Sequence, residues 1–473
     1  MTKIGVFAVL DVGKTNVDFW VAKPDGTVLE TRTTPNHVLG GGGAWRHHDL
    51  TTLGQWVVMT LAELCRKHPI QLLVPVGHGS GGVLVGGDPD AGYMGTIFPM
   101  IDYEDLCPPE VDAEYVQKSG SFEDRGSPVM MGMTHAARQL LRMERTDPSA
   151  FTEAQHYLNI AQYWGWWLTG IAASEYSAMS AQTHLWNVPE RRWTPIVHEQ
   201  NWLRLLPDFR PAWEPLGLVR KNIVRRFGLP DDIEVLTGAH DSTTNFYRYI
   251  SAGLSDFTLV STGTWLVALS READTKTLDQ SRGITINADM EGNPVAGALA
   301  MGGREFSAIA GKGWRGDAID AQTLTRLVAR GTMARPSFSD NEGQFPGSAK
   351  RGRIIGPPPE SNAEFAALAL LHSALLTVTC AEVLDGGQRI ILDGTFLKEP
   401  LFAPLVAALC CGRKTELSDE TNGVLAGAVG LANHRTRKAP APLALKPVKP
   451  AIIIGITDYA KQWRAISEQK DTT

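Results

Sequence analysis

The feature that most constrains this chain is a polar turn set directly behind an apolar strand, with another strand after it in place of a helix. Residues 4–10 form an apolar run of the kind a strand covered on both faces requires, and Asp11-Val12-Gly13-Lys14-Thr15-Asn16 follows. Val17, Phe19 and Val21 then alternate with other residues until Pro24-Asp25-Gly26 turns the chain into a further strand over residues 27–33. The chain therefore opens as a meander. A second strand–turn–strand unit surrounds Ser261-Thr262-Gly263-Thr264, and a third strand, residues 389–392, runs into Asp393-Gly394-Thr395.

This context rejects two look-alike motifs. Gly13-Lys14-Thr15 imitates the end of a P-loop, but Ala8 occupies the place of that motif's first glycine and no helix follows. Gly77-His78-Gly79-Ser80-Gly81-Gly82 has the glycine spacing of a dinucleotide fingerprint, yet Val83-Leu84-Val85 continues as strand where pyrophosphate needs a helix N-terminus. A tight turn between strands can instead aim successive N–H groups and a hydroxyl at a phosphate, and a carboxylate at a strand end can hold Mg²⁺ through water. An ordinary Asp/Gly turn accounts for residues 11–16 equally well, so the segment alone leaves both readings open.

The length of 473 residues allows two or three domains with cores of their own. A net charge of −6, from 45 Lys+Arg against 51 Asp+Glu, excludes the basic footprint of a nucleic-acid or anionic-membrane partner. Five cysteines (Cys65, Cys107, Cys380 and the adjacent Cys410 and Cys411) are too scattered for a disulfide framework or a zinc knuckle and read as reduced thiols. His47-His48-Asp49 imitates a metal triplet, but the two histidines point apart in either periodicity, and Asp49 suits the N-cap of a helix over Leu50–Lys67. The apolar run before Asp11 is too short for a signal peptide. Residues 365–384, interrupted by His372 and Glu382, read as a buried central helix and not a membrane span, so a cytoplasmic protein is expected. Further helices are expected over residues 134–145 and 153–168, loops around short strands over 77–120, a loop over 336–361, and a proline-rich arm over 439–450. No G-x-S-x-G nucleophile elbow occurs.

With these pieces in order, the chain resembles the FGGY family of carbohydrate kinases, within the actin, hexokinase and heat-shock ATPase superfamily. Asp11-Val12-Gly13-Lys14-Thr15 resembles the family's first phosphate motif, and Tyr163-Trp164-Gly165-Trp166-Trp167-Leu168-Thr169-Gly170 its helix ending in Leu-Thr-Gly. Glu175-Tyr176-Ser177-Ala178-Met179-Ser180 resembles the acidic segment that follows, with Trp193 as the tryptophan that closes it. Gly238-Ala239-His240-Asp241 is similar to the segment ending in the catalytic aspartate. Ser261-Thr262-Gly263-Thr264 is similar to the second phosphate motif, Asp393-Gly394-Thr395 to the adenosine-site turn, and residues 420–428 to the helix after it. The sequence departs from the family pattern at Lys14, where a small or hydroxyl residue is usual, at Thr395 and Glu399, and at Ile101-Asp102-Tyr103-Glu104, a degraded Trp-x-Asp-x-Arg substrate motif.

The resemblance implies an α/β protein of two ribonuclease H-like (actin-like ATPase) domains, each a mixed sheet flanked by helices, with sugar and ATP meeting in an interdomain cleft. Residues 1–245 are then the sugar-binding and catalytic-base domain and residues 246–473 the nucleotide-binding domain. The implied roles are Asp241 as base, Asp11 as the Mg²⁺ residue, and Gly13, Lys14, Thr15, Gly263, Thr264, Gly394 and Thr395 around ATP. His78, Ser80 and Asp102 are the sugar candidates. Read locally, Asp241 also suits a helix cap, Lys14 a solvated lysine, and the three sugar candidates ordinary loop positions. Trp164, Trp166 and Trp167 read as helix packing. The implied activity is ATP-dependent phosphorylation of a ketose or deoxy-ketose, L-rhamnulose- or L-fuculose-like. The alternatives are a kinase for another ketose or a polyol, of the xylulose, ribulose or glycerol type, and a nucleotide-gated binding protein of the actin or heat-shock ATPase type. The resemblance also allows a homodimer.

Overall fold

A computed structural model describes residues 5–40, 43–311, 319–410, 412–418, 420, 422–435 and 443–469. Gly41, Gly42, Cys411, Thr421, residues 439–442 of the proline-rich stretch and residues 470–473 lie outside the described residues. Two compact units emerge. The first comprises Met1–Gly253, Asn287–Pro294 and Asn422–Leu443; the second comprises Leu254–Ile286, Val295–Thr421 and Ala444–Thr473.

The first unit carries the opening meander as β1 (Val6–Val12), β2 (Asn16–Ala22) and β3 (Val28–Pro35). Then come helix α1 (Leu50–Lys67), β4 (Ile70–Gly77), helix α2 (Ile160–Thr169), β5 (Pro215–Leu218), β6 (Glu234–Leu236), β7 (Ala239–His240) and helix α3 (Asp241–Ser251). Its seven-stranded sheet runs β5-β6-β4-β1-β2-β3, with β7 also pairing β4. β1, β4, β6 and β7 are linked by parallel pairing, and β2, β3 and β5 attach antiparallel. The apolar run of β1 follows from burial on both faces. Ala8, Leu10 and Val12 join one core with Leu53, Val57, Leu61, Trp164 and Trp166; Phe7 and Val9 join another with Trp20, Leu72 and Val74. Asp49 caps α1, accepting from the Thr52 N–H, as its sequence position demands.

The second unit contains β8 (Phe257–Thr262), β9 (Leu266–Ser270), β10 (Ile284–Ala288), β11 (Pro294–Ala300), helix α4 (Gly302–Ala310), helix α5 (Asn362–Glu382), β12 (Arg389–Gly394) and β13 (Lys414–Ser418). Helix α6 (Gly423–His434) belongs to the first unit, and β14 (Leu445–Pro447) completes the second unit's sheet, β10-β11-β9-β8-β12-β13-β14. Helix α5 is long and apolar enough to cross a membrane by length and composition, but 89% of its most apolar window is buried in the protein, so it serves as a core helix.

Three sequence expectations change. Residues 153–168 are not one helix. Pro148–Glu153 is a short helix of its own, His156–Asn159 pairs antiparallel with Gly82–Val85, and α2 starts only at Ile160. Tyr157 and Leu158 suit either period, and pairing with the neighbouring strand decides between them. Pro109–Lys118, inside the stretch read as loops, is a helix with proline in its first turn. Arg353–Ile355, inside the expected 336–361 loop, pairs with Met333–Arg335 as a two-stranded ribbon.

Candidate active site

The register of the first unit's sheet brings distant residues to one edge. Val12 of β1 pairs Gly77 of β4, which pairs His240 of β7, so three parallel strands end side by side. Asp11, His78 and Asp241 stand at those ends, where ligands of open α/β sheets bind. Asp241 is the first residue of α3, with His240 in the N-cap position and no side-chain cap bond from it. The helix-cap reading is therefore corrected: the Asp241 carboxylate lies in the first turn, near the positive end of the helix dipole. Its Oδ1 accepts from the Ser242 N–H and, at 3.0 Å, from the Ser242 hydroxyl, and its side chain is 27% exposed.

Asp11 is the carboxyl group whose surroundings disfavour its charge unless a cation is near. It sits directly opposite Asp18 across the β1–β2 ladder, and its Oδ1 is buried without a hydrogen-bond partner. Burial raises its pKa well above the ordinary aspartate value, and the charges of Asp241 and Asp18 push the same way. A hard cation with oxygen ligands relieves all three effects, and Mg²⁺ asks for only one or two carboxylates with water and phosphate supplying the rest. Among the described residues no group of three or more His, Cys, Asp or Glu side chains converges to hold a metal.

The turn after β1 is braced by a residue the sequence reading passed over. The Asn36 amide donates to the Gly13 carbonyl at 2.8 Å, and the Asn36 N–H donates to the Thr15 carbonyl at 2.8 Å. The Asn36 Oδ1 also meets His48 Nδ1 at 3.1 Å, linking the turn to a polar cluster of His48, His78, Asp102, Tyr103, Lys14 and Arg46. Residues 45–48 reach that cluster because the His48 N–H donates to the Met100 carbonyl and the Asp102 N–H to the Arg46 carbonyl.

Lys14 is ion-paired to the buried Asp102 and lies 4.9 Å from the Tyr103 ring, so it is not a free solvated lysine. Arg46 Nη2 stands 3.0 Å from Asp102 Oδ2. Burial works to raise the Asp102 pKa, but the Lys14 ammonium and the Glu104 N–H hold it below the ordinary value. Burial also drives His48 down to about 3 and His78 down to about 4, so both rings are neutral at neutral pH. The His78 Nδ1–H donates to the Gly79 carbonyl at 2.7 Å, which leaves its buried Nε2 a lone-pair acceptor without a partner. Ser80 adopts a left-handed φ of 61°, its N–H on the Ala181 carbonyl and its own carbonyl accepting from Gln139. Of the cluster, only Asp102, His78 and Lys14 were singled out as site candidates. Arg46 and His48 join it from the short 45–50 stretch, Arg46 from the exposed side and His48 from the buried side.

The second unit brings Gly263, Thr264 and Thr395 together around one cavity. Thr262 of β8 pairs Gly394 of β12, and the Thr262 hydroxyl donates to the Asp393 carbonyl and accepts the Phe396 N–H. Gly394 has a φ of +93°, and a Cβ there would lie 2.1 Å from the Thr262 carbonyl oxygen; only glycine fits. The adjoining cavity, about 690 Å³, is lined by Gly263, Thr264, Thr395, Lys398 and Glu399 together with Phe306, Leu370 and Phe396. That volume and its mixed apolar and polar lining suit a nucleoside. Glu399 turns its Oε1 to the Leu401 N–H.

Residues 113–246 match the N-terminal domain of the FGGY family of carbohydrate kinases, and residues 254–440 match the carbohydrate kinase FGGY C-terminal domain. An L-fuculokinase of Salmonella typhi is 25% identical over 325 residues, spanning 64% of this chain and 66% of the relative. An L-fuculokinase of Escherichia coli is 23% identical over 320 residues, 64% of this chain and 65% of the relative. The alignments thus span just under two thirds of these relatives' length. A carbohydrate kinase from Novosphingobium aromaticivorans superposes with a TM-score of 0.84 at 27% identity, over 98% of this chain and 99% of the other. A xylulose kinase from Lactobacillus acidophilus shares the fold with a TM-score of 0.78 at 16% identity, over 98% and 96%.

Proposed function

The chain belongs to the FGGY family of carbohydrate kinases, and on that premise we propose that it phosphorylates a hydroxyl of a ketose or deoxy-ketose at the expense of ATP. Residues 1–245 hold the sugar and the base, and residues 246–473, apart from the segments that return to the first unit, hold the adenosine side of the nucleotide. The observation that carries this reading is the convergence of Asp11, His78 and Asp241 at the ends of three parallel strands of one sheet.

Phosphoryl transfer to an alcohol is mainly a matter of positioning and charge neutralisation. In this reading Asp241 accepts the proton of the attacking hydroxyl, His78 and Asp102 accept hydrogen bonds from other hydroxyls of the sugar, and Lys14 keeps Asp102 ionised. The backbone turns at Gly13 and Gly263, with the Thr15 and Thr264 hydroxyls, hold phosphates, and Gly394 and Thr395 border the adenosine. Mg²⁺ bound at Asp11 supplies neutralisation of the phosphate charge. The resemblance to two L-fuculokinases favours an L-fuculose- or L-rhamnulose-like acceptor.

An ADP-release assay over ketoses, aldoses and polyols tests the activity and finds the acceptor. Turnover that no sugar raises above the water-only ATPase rate removes the kinase reading. Asp241→Asn is expected to abolish sugar-stimulated turnover while ATP binding survives, and near-normal activity removes the base assignment.

A further inference from the structure

The second unit holds another cavity, of about 560 Å³, which shares no lining residue with the cavity at Gly263 and Thr395. Four segments distant in sequence build its wall. They are residues 279–282 ahead of β10, Arg335 at the end of the Met333–Arg335 strand, residues 344–351 in the loop after it, and residues 467–469 where the helix Ile456–Glu468 ends. Hydrogen bonds fix these segments to one another. The Ser337 and Ser348 hydroxyls meet at 2.8 Å, the Gly352 N–H donates to the Ser337 carbonyl at 2.8 Å, and the fully buried Gln344 donates its amide to the Gly283 and Leu299 carbonyls. Glu305 of α4 accepts the N–H groups of Phe338 and Ser339 at 3.0 and 2.7 Å. The Trp463 ring N–H donates to the Ala334 carbonyl and the Tyr459 hydroxyl to the Thr332 carbonyl, both at 2.7 Å, and the Arg335 guanidinium donates to the Gln469 carbonyl. A wall already held in place spares a ligand the entropy of ordering it.

Charge and hydrogen-bonding capacity decide what such a wall takes. Arg282, Arg335 and Arg351 stand against two carboxylates, Asp279 and Glu468. Both carboxylates pair with Arg282, at 3.0 and 3.3 Å, but they are 55% and 57% exposed, and ion pairs open to water hold weakly. Arg351 is exposed and forms no ion pair among the described residues. Two buried atoms of wall residues, Gln344 Oε1 and Ser467 Oγ, have no hydrogen-bond partner, although buried polar groups are ordinarily paired. Guanidinium groups bind phosphate oxygens through paired N–H bonds, and carboxylates and serine hydroxyls suit the hydroxyls of a polyol. The lining is mostly polar, with Phe345 and Pro346 its apolar members, whereas Phe306, Leu370 and Phe396 line the nucleotide cavity. A hydroxylated anion therefore fits here better than a nucleobase does.

We propose that this cavity is a second ligand site, which takes a phosphorylated polyol, with the phosphate on Arg351 and Arg282 and the hydroxyls on the carboxylates and serines of the wall. The volume is in the range of small-molecule sites. A phosphate dianion replaces the exposed carboxylates as the partner of Arg282 and gives Arg351 the partner it lacks within the protein.

Ribose 5-phosphate serves as the probe, with inorganic phosphate and ribose as its two halves. Calorimetric titration of the full chain is expected to show saturable binding of ribose 5-phosphate, with phosphate and ribose each about tenfold or more weaker. Arg351→Glu changes an exposed side chain that has no ion pair to lose, so Tm should hold while ribose 5-phosphate binds about tenfold or more weakly. Three results would each overturn the proposal: no saturable binding of ribose 5-phosphate by about 10 mM, an affinity in Arg351→Glu within about twofold of the unaltered protein, or either half binding as tightly as the whole. Hydrogen exchange on the unaltered chain locates the site without any variant. Ribose 5-phosphate is expected to slow exchange over residues 344–351 and 467–469. Slowing confined to residues 78–102 would put the probe among the sugar candidates and overturn the proposal. Neither measurement uses turnover, so both stand whether or not the kinase reading does.

Discussion

Replacing Glu175 by Gln should flatten the dependence of the first unit's stability on pH. Glu175 is fully buried; its Oε1 accepts the Ser177 N–H at 3.0 Å, and its Oε2 accepts the Ser177 hydroxyl and the Ala178 N–H. Burial pushes its pKa from 4.5 up to about 7, outweighing those hydrogen bonds, and the charge of Asp289 acts in the same direction. An acid whose folded pKa exceeds its unfolded one keeps its full contribution to stability below the unfolded value and loses it as pH rises through the folded value. Complete ionisation therefore costs about 3.4 kcal/mol, of which about 2.5 is lost between pH 5 and pH 9. In a unit of this size that is about 5–10 °C in Tm. Thermal unfolding followed by tryptophan fluorescence is suited to the measurement, because the buried Trp164, Trp166 and Trp202 all report on the first unit. The difference between the unaltered protein and Glu175→Gln is the quantity to read, since all other titrations cancel in it. The variant should gain on the unaltered protein by that amount from pH 5 to 9. Two curves that run parallel would show that Glu175 does not titrate in this range and would refute the reasoning.

Two further outcomes follow from the site. Gly394→Ala should raise the KM for ATP at least tenfold with little change for the sugar, because its Cβ would stand 2.1 Å from the Thr262 carbonyl oxygen in a left-handed backbone, together about 2–4 kcal/mol of strain at the turn; an unchanged ATP KM would remove this turn from the nucleotide site. Lys14→Met leaves Asp102 buried with Arg46 as its remaining cation, so the KM for sugar should rise while that for ATP stays within twofold. A steady-state titration of both substrates reads the split, and an ATP KM that rises instead would return Lys14 to the phosphates.

The linear sequence already carried the parts that depend on near neighbours. The meander, the helix over Leu50–Lys67 with its Asp49 cap, and the glycine turns at Gly13, Gly263 and Gly394 all follow from local periodicity, capping and sterics. Their order along the chain was enough to point to the family. Short segments whose period is ambiguous were less legible: His156–Asn159 becomes a strand because Gly82–Val85 is there to pair with it.

What only the tertiary structure decided is which polar groups meet. No local pattern says that Lys14 reaches Asp102 and Arg46, that Asn36 joins the phosphate turn to His48, or that Ser177 clamps the backbone of His240. Nor does a pattern say that Asn287–Pro294 and Asn422–Leu443 return to the first unit. These contacts join residues up to hundreds of positions apart, and sheet register fixes them: Val12, Gly77 and His240 fall in line because parallel strands pair there. Sequence sets what each segment can be; burial and pairing determine which charges and acceptors share a site, and so how they act.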